Sequence, residues 1–173
     1  MTTGGKATVG IVMGSDSDYP VMSECSKMLE KFGISYEIEV LSAHRTPARA
    51  HEYATTAASR GLKVVIAAAG AAAHLAGVMA ASTTLPVIGV PMATSSLNGL
   101  DALLATVQMP SGIPVGTMAI DKAGATNAAI FAAEILALSD PKIARKLTAH
   151  KEDLARGVAE KNARLQKQLS EKK

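Results

Sequence analysis

Short apolar runs alternate with amphipathic segments along this chain. The apolar runs are rich in Val, Ile, Leu and Ala, which predicts strands. They lie at Thr8–Met13, Ser35–Leu41, Lys63–Ala68, Pro86–Val90 and Val115–Ile120. Between them, apolar residues recur at helical spacing, which predicts helices. These lie at Tyr19–Lys31, Pro47–Arg60, Ala72–Ser82, Gly99–Val107 and Thr126–Leu138.

The order of these elements predicts the fold class. Strands that alternate with helices through short connections form a parallel sheet with helices on both faces. The run Val64–Ala68 is apolar at every position, as expected for a parallel strand that is buried on both sides. We therefore predict an α/β protein, a three-layer α/β/α sandwich of the flavodoxin-like or Rossmann-like kind. We expect a single catalytic domain over residues 1–173, with its core at about 8–139.

A long amphipathic helix is predicted after Pro141, over about 142–168. Its apolar stripe consists of Ile143, Leu147, Leu154, Val158, Leu165 and Leu169. Because this helix follows the completed sheet, we expect it to contact another subunit or to reach across its own. The net charge of +3 arises here, where Lys and Arg are in excess. No aromatic residues alternate with these charges, which favours a solvated helix face and no nucleic-acid partner.

Composition excludes several other classes. A chain of 173 residues that is 48% hydrophobic and 19% charged is expected to be globular. Aromatic residues make up only 3%, too few for a flavin or base-stacking platform. The single Cys25 has no partner for an internal disulfide, and Met1–Thr8 lacks the apolar core of a signal peptide. We expect a cytoplasmic protein with no membrane span.

Polar turns follow the first two predicted strands, at the edge where open α/β sheets bind ligands. In the first turn Gly14 permits close approach of backbone, and the serine hydroxyls and helix N-terminal amides suit a phosphate. Asp18 either caps the next helix or accepts hydrogen bonds from ribose hydroxyls. In the second turn Arg45 suits an anion, and His44 can give and take a proton near neutral pH. A plain capping turn and a structural histidine would give the same patterns.

The third turn, Ala68–Leu75, is rich in small residues. Such residues leave backbone amides exposed and leave room for a planar ring. His74 falls in the first helical turn, where the helix dipole disfavours its charged form. A histidine satisfied by backbone is the alternative. We expect Pro91–Gly99 to form a wall of the pocket, Met109–Pro114 to cover it, and His51 and His150 to lie on the surface.

The motifs that are absent also narrow the chemistry. The sequence has no clear metal-ligand spacing, no Walker phosphate loop, no Gly-x-Gly-x-x-Gly in a nucleotide position and no Gly-x-Ser-x-Gly elbow. We therefore expect no metal site and no redox or hydrolytic cofactor chemistry. The remaining interpretation is a phosphorylated small molecule and acid–base chemistry by histidine.

Four blocks of the chain resemble the PurE family, the N5-carboxyaminoimidazole ribonucleotide mutases of de novo purine biosynthesis. The blocks are Met13–Asp18, Ser42–Pro47, Ala71–Leu75 and Gln108–Thr117, and the resemblance extends from Val9 to Ala137. It implies an isomerase that moves a carboxylate from N5 of its substrate to C4 of the imidazole ring by decarboxylation and recarboxylation, without a cofactor. It also implies a homo-octamer and a possible transient contact with the synthetase that makes the substrate.

The same resemblance assigns roles to individual residues. It places Ser15, Ser17, Ser42 and Arg45 at the 5′-phosphate end, Asp18 at the ribose, His44 as general acid and base, and Gly70, Ala71 and His74 around the ring and carbon dioxide. The role of His74 is not defined further. Ala71 and Ala76 stand where the family often has Gly and Pro, and Ser111 where it often has a larger or basic residue.

Two alternatives stay open at the level of sequence. The related aminoimidazole ribonucleotide carboxylases, which use free carbon dioxide, tend to carry Lys in place of Arg45. A flavodoxin-like receiver or nucleotide-binding module would not be an enzyme. A receiver needs Asp at the end of the third strand, where this chain has Ala67–Ala69.

Overall fold

The computed structural model describes residues 6–171, and its elements follow in the predicted order. The strands are Val9–Met13 (β1), Tyr36–Val40 (β2), Val64–Gly70 (β3), Val87–Met92 (β4) and Gly116–Thr117 (β5). The helices are Tyr19–Phe32 (α1), Pro47–Arg60 (α2), Leu75–Ser82 (α3), Leu100–Val107 (α4), Asp121–Ala137 (α5) and Pro141–Ser170 (α6). A short 3₁₀ turn, Asp16–Asp18, precedes α1.

The five strands form one parallel sheet in the order β2-β1-β3-β4-β5. After β1 the chain moves to one side to form β2, and it then returns to the other side of β1 to form β3. This reversal creates a crevice at the carboxyl ends of β1 and β3, which is where open α/β sheets bind ligands. The predicted α/β fold with its parallel sheet is confirmed.

Helices cover both faces of the sheet. Ile11 belongs to a core formed with α1 and α5, whereas its neighbour Val12 belongs to a core formed with α2 and α3. This alternation follows from the pleat of a strand. Helix α5 lies close to the sheet because its inner face consists of fully buried alanines. Aliphatic residues, many of them alanines, therefore form most of the core.

Two helices begin three or more residues away from their predicted starts. Helix α3 begins at Leu75 rather than Ala72, because Ala71 has a φ of +51° and the backbone cannot be helical there. Helix α5 begins at Asp121 rather than Thr126. Gly124 weakened the helical pattern, but the glycine is required because a Cβ would lie 2.7 Å from the carbonyl carbon of Ala119.

Helix α6 folds back along α1 through its first turns. Asp140 caps it by accepting a hydrogen bond from the Lys142 amide at 2.8 Å. Lys146 Nζ donates to the carbonyl of Phe32 at 2.7 Å, at the end of α1. The ring of His150 stands edge-on to that of Phe32, and His150 is buried. The prediction of a surface position is therefore wrong for His150, because this residue of α6 is packed against Phe32 at the end of α1.

From Lys151 onward α6 contacts its own subunit very little. Nearly every residue of this half is exposed, including Leu154, Val158, Leu165 and Leu169. His51 is exposed as predicted. Within residues 6–171 no helix combines the length and the apolar character needed to cross a membrane. Residues 1–5 lie outside the described part of the chain. Most of the segment Met1–Thr8, for which no signal peptide was predicted, therefore lies outside it as well.

Candidate active site

A cavity of about 310 Å³ lies above the carboxyl ends of the first three strands. It is lined by the turns that follow these strands and by one residue after β4: Gly14, Ser15, Ser17, Asp18, Ser42, Ala43, His44, Arg45, Ala69, Gly70, Ala72, Leu75 and Thr94. The register explains this convergence, since Met13 pairs with both Val40 and Ala68. The first two turns therefore begin level with Ala68, and β3 continues two residues further, to Gly70, before the third turn begins.

The first turn presents two linked hydroxyls. Ser17 Oγ donates to Ser15 Oγ at 2.8 Å, and Ser15 Oγ also accepts from the Ser17 amide at 3.3 Å. This arrangement orients both hydroxyls within one 3₁₀ turn at the start of α1. Hydroxyls and amides at a helix N-terminus form a favourable environment for an anion.

The second turn places a guanidinium beside the first. Arg45 Nη2 donates to the Gly14 carbonyl at 2.9 Å, and its backbone amide donates to Ser42 Oγ at 3.1 Å. Thr46 Oγ1 completes the turn by accepting from the Ser42 amide at 3.0 Å. A guanidinium carries five N–H groups, so most of its donors remain available to a bound anion.

Asp18 is a buried carboxylate at the base of the cavity. It occupies the N-cap position of α1, but its side chain forms no capping hydrogen bond. Burial raises the pKa of Asp18, and the negative charges of Asp121 and Asp16 raise it further, against a lowering by a backbone hydrogen bond at Ser15. The residue lines the cavity, where its carboxylate can meet hydroxyl donors of a ligand. The buried side chain of Asp18 therefore does not serve to cap α1.

His44 and His74 form a hydrogen-bonded pair. His44 Nε2 and His74 Nδ1 are 2.8 Å apart, and the two rings are nearly perpendicular, at 79°. One of these nitrogens must carry the hydrogen and the other must accept it. The third turn thus orients the ring that lines the cavity. His74 itself is the N-cap residue of α3 and is not among the residues that line the cavity.

The end of β3 provides the narrow wall of the cavity. Gly70 lies directly beneath the Thr94 side chain, and a Cβ added to Gly70 would overlap Thr94 Oγ1 and lie 3.0 Å from Thr94 Cβ. Ala71 has an unfavourable φ of +51°, and it is exposed and does not line the cavity. The methyl group of Ala71 therefore does not narrow the cavity, which is lined by Ala69 and Ala72 instead.

Most residues that line this cavity were predicted from the sequence, but some of its walls were not. Thr94 was one of nine residues in a loop predicted to form a wall, and nothing in the sequence separated it from its neighbours. The loop Met109–Pro114 was predicted to cover the pocket, but it does not line it. Part of this loop instead borders a larger, mainly apolar groove of about 1,050 Å³. Within residues 6–171, no three His, Cys, Asp or Glu side chains are grouped as metal ligands.

Comparison with known proteins places this geometry in a family. Residues 8–157 match the family described as AIR carboxylase. The chain belongs to the AIR carboxylase family. It is 57% identical over 161 residues to the N5-carboxyaminoimidazole ribonucleotide mutase of Pyrococcus horikoshii, covering 93% of this chain and 90% of that protein. The mutase of Thermotoga maritima is 58% identical over 158 residues, covering 91% of each.

A solved structure agrees with the assignment to the AIR carboxylase family. The crystal structure of Treponema denticola PurE superimposes with a TM-score of 0.82 at 29% identity, covering 92% of this chain and 98% of that one. The resemblance to PurE seen in the sequence blocks is confirmed. The family match ends at residue 157, within α6, so the final turns of this helix lie beyond it.

The departures from the glycine-rich block of the AIR carboxylase family can now be located. Ala76 is the second residue of α3, where a proline is also tolerated because that amide has no partner within the helix. Its methyl group is buried on the sheet side, close to Gly89. Ser111 is exposed in the loop after α4. None of these side chains narrows the cavity.

The two cavity glycines should respond differently to alanine. We expect Gly70→Ala to lower the free energy of unfolding by about 1–3 kcal/mol, because its Cβ would displace Thr94. Gly14→Ala should change it by less than about 0.5 kcal/mol, since its Cβ would meet nothing closer than 3.8 Å. Urea denaturation of both variants measures this. Equal losses of stability in the two variants would contradict the close contact at Gly70.

Asp18→Asn should stabilise the free protein. A carboxyl whose pKa is raised on folding binds protons more tightly in the folded state, so stability falls as pH rises through the interval between the unfolded and folded pKa. Above that interval Asp18→Asn should therefore increase the free energy of unfolding, whereas Asp16→Asn, at an exposed position, should change it less. Urea denaturation at pH 3.5 and pH 7.5 tests this; a destabilised Asp18→Asn protein at pH 7.5 would refute it.

Proposed function

We propose that this member of the AIR carboxylase family is an N5-carboxyaminoimidazole ribonucleotide mutase of de novo purine biosynthesis. It is an isomerase that converts N5-carboxyaminoimidazole ribonucleotide to 4-carboxy-5-aminoimidazole ribonucleotide. The curated relatives carry this name at well over half identity. The observation that carries the proposal is His44, held by His74, in the same cavity as a turn that suits an anion, because this reaction needs both a phosphate site and a proton carrier.

The phosphate of the substrate would occupy the first two turns. Ser15 and Ser17 offer linked hydroxyls there, and Arg45 brings a guanidinium whose position is fixed by Ser42 and the Gly14 carbonyl. Charge-assisted hydrogen bonds of this kind are stronger than neutral ones. The phosphate end would thus anchor the ribonucleotide and orient its reacting ring.

Asp18 would bind the ribose, and the third turn would hold the ring. The Asp18 carboxylate makes no cap to α1, so it can accept hydrogen bonds from ribose hydroxyls. Gly70 and Ala72 line the cavity with almost no side-chain volume. The space that they leave would accommodate the imidazole and the carbon dioxide. Ala71, implicated by the resemblance, would contribute through its backbone, since its side chain lies outside the lining.

His44 would act as general acid and then as general base. In the first step the bond between N5 and the carboxylate carbon breaks; its electron pair stays on N5, which takes a proton from His44. In the second step C4 of the ring bonds to the carbon dioxide, and the proton of C4 passes to His44. Each electron pair and proton is accounted for by the substrate and one imidazole. The chemistry thus needs no metal and no redox cofactor.

His74 would act through His44. Its Nδ1 lies in hydrogen-bond contact with His44 Nε2, which fixes the orientation of the His44 ring and the position of one hydrogen. Held in this way, His44 loses little freedom when the substrate binds, and the proton moves over a defined distance. A closed cavity would also keep the released carbon dioxide beside C4 instead of losing it to water.

Assembly into a homo-octamer is part of the proposal. The outer half of α6 carries the apolar residues Leu154, Val158, Leu165 and Leu169, each of which is more than half exposed in the described part of the subunit. The mainly apolar groove of about 1,050 Å³ is a second surface that another copy can occupy. Exposed apolar surface of this extent favours association. The subunit number, the single domain over 1–173, the cytoplasmic location and a transient contact with the synthetase stay predictions.

Product formation from two substrates tests the proposed function. With N5-carboxyaminoimidazole ribonucleotide alone, we expect the purified protein to form 4-carboxy-5-aminoimidazole ribonucleotide rapidly, well above the rate without protein. With aminoimidazole ribonucleotide plus excess bicarbonate, we expect much slower formation. A faster reaction with the second pair would instead identify the carboxylase and show that Arg45 does not distinguish the two classes. No product from either, by a folded protein, would refute both enzymatic assignments.

A further inference from the structure

Asp121 holds a backbone conformation that a residue with a side chain rarely adopts. It is the first residue of α5, and its φ is +58°. The left-handed region is strained for a residue other than glycine, although Asp and Asn tolerate it better than most. A glycine at this position would remove the strain. We therefore expect the Asp121 side chain to make a contact that compensates for the strain of its backbone.

That contact reaches the loop that follows β4. Asp121 Oδ1 accepts a hydrogen bond from the Ala93 amide at 2.8 Å. Ala93 is the first residue after β4, and its amide is no longer paired within the sheet. It also lies tightly against Gly99 at the far end of the same loop, where an added Cβ would be 3.2 Å from the Ala93 Cα. Asp121 thus fixes the point at which the loop leaves the sheet.

The fixed point lies next to the cavity wall. Thr94, the residue after Ala93, lines the cavity and lies directly over Gly70. The carboxylate of Asp121 is also close enough to Asp18 for its charge to raise the pKa of that buried group, as the charge of Asp16 does. Asp121 does not itself line the cavity. Asp121 therefore acts from outside the cavity on two residues that line it, Thr94 and Asp18.

We propose that Asp121 is a positioning residue of the ribonucleotide site, which holds Thr94 over Gly70 through the Ala93 amide. The inference rests on the proposed function, because the ligand that this wall would enclose is the ring of the ribonucleotide. Without the hydrogen bond, the wall moves away from Gly70, and the ring and the carbon dioxide are enclosed less tightly. The loss falls mainly on substrate binding, since His44 and His74 are held by other turns.

Two substitutions separate the hydrogen bond from the backbone strain and the charge. Asp121→Gly relieves the strain but removes the acceptor. Asp121→Asn keeps a side-chain oxygen and tolerates the left-handed conformation, but it removes the charge. For Asp121→Gly we expect a KM raised at least about threefold, a kcat within about twofold of the parent value, and a melting temperature that is not lowered. For Asp121→Asn we expect a KM within about twofold of the parent value.

Steady-state kinetics with N5-carboxyaminoimidazole ribonucleotide measures these effects, and calorimetric titration with the stable product 4-carboxy-5-aminoimidazole ribonucleotide measures affinity without turnover. An unchanged KM and product affinity in a folded Asp121→Gly protein would overturn the inference. An Asp121→Asn protein as impaired as Asp121→Gly would overturn it too, because the acceptor would then not be what matters. A parent protein that neither turns over the substrate nor binds the product would refute the proposed function instead.

Discussion

The chemistry of this protein depends on the common register of three parallel strands. Met13 at the end of β1 pairs with Val40 of β2 on one side and with Ala68 of β3 on the other. The three following turns therefore leave the sheet within two residues of one level, around the crevice that the reversal of strand order opens. The serine turn, the turn of His44 and Arg45 and the small-residue turn meet there, although each comes from a different part of the chain. A shift of register by one residue in β1 would exchange its buried faces and separate these turns.

The site accumulates features that are unfavourable for folding. Asp18 is a buried carboxylate with a raised pKa, and both Ala71 and Asp121 have positive φ values. Such strain persists only where the surrounding structure fixes it. Here β1 is buried at every position, and the alanines of α5 bring that helix close to the sheet. A rigid, closely packed scaffold thus holds turns that would not keep this geometry alone.

Much of the fold could be predicted from local pattern. Uninterrupted apolar runs, together with glycines after helices and prolines at their beginnings, gave the strands and most helix positions, because these signals act within a few residues. The start of α3 could not be found in this way, since the left-handed Ala71 looks like any alanine in a helical run. His150 was misplaced for a similar reason: its neighbours in sequence are polar, and only the packing of α6 on α1 buries it.

Individual residues of the site could be predicted from the sequence, but the contacts between them could not. His44, Arg45 and Asp18 stood out because their side chains carry chemistry, but the 2.8 Å contact between His44 and His74 joins residues of separate turns. Thr94 could not be distinguished from the other residues of its predicted wall loop, and Asp121 could not be distinguished from any acid near a helix start. Both matter through tertiary contacts to Gly70 and Ala93, which only the folded chain brings about.

The most direct test of this account is turnover by His44→Asn, with binding of the product measured on the same protein. If His44 carries the proton, kcat should fall by at least about 100-fold, while affinity for 4-carboxy-5-aminoimidazole ribonucleotide stays within a few-fold of the parent value. His51→Asn, at an exposed position on α2 away from the cavity, should retain full activity. A folded His44→Asn protein that keeps near-normal turnover would contradict the central claim.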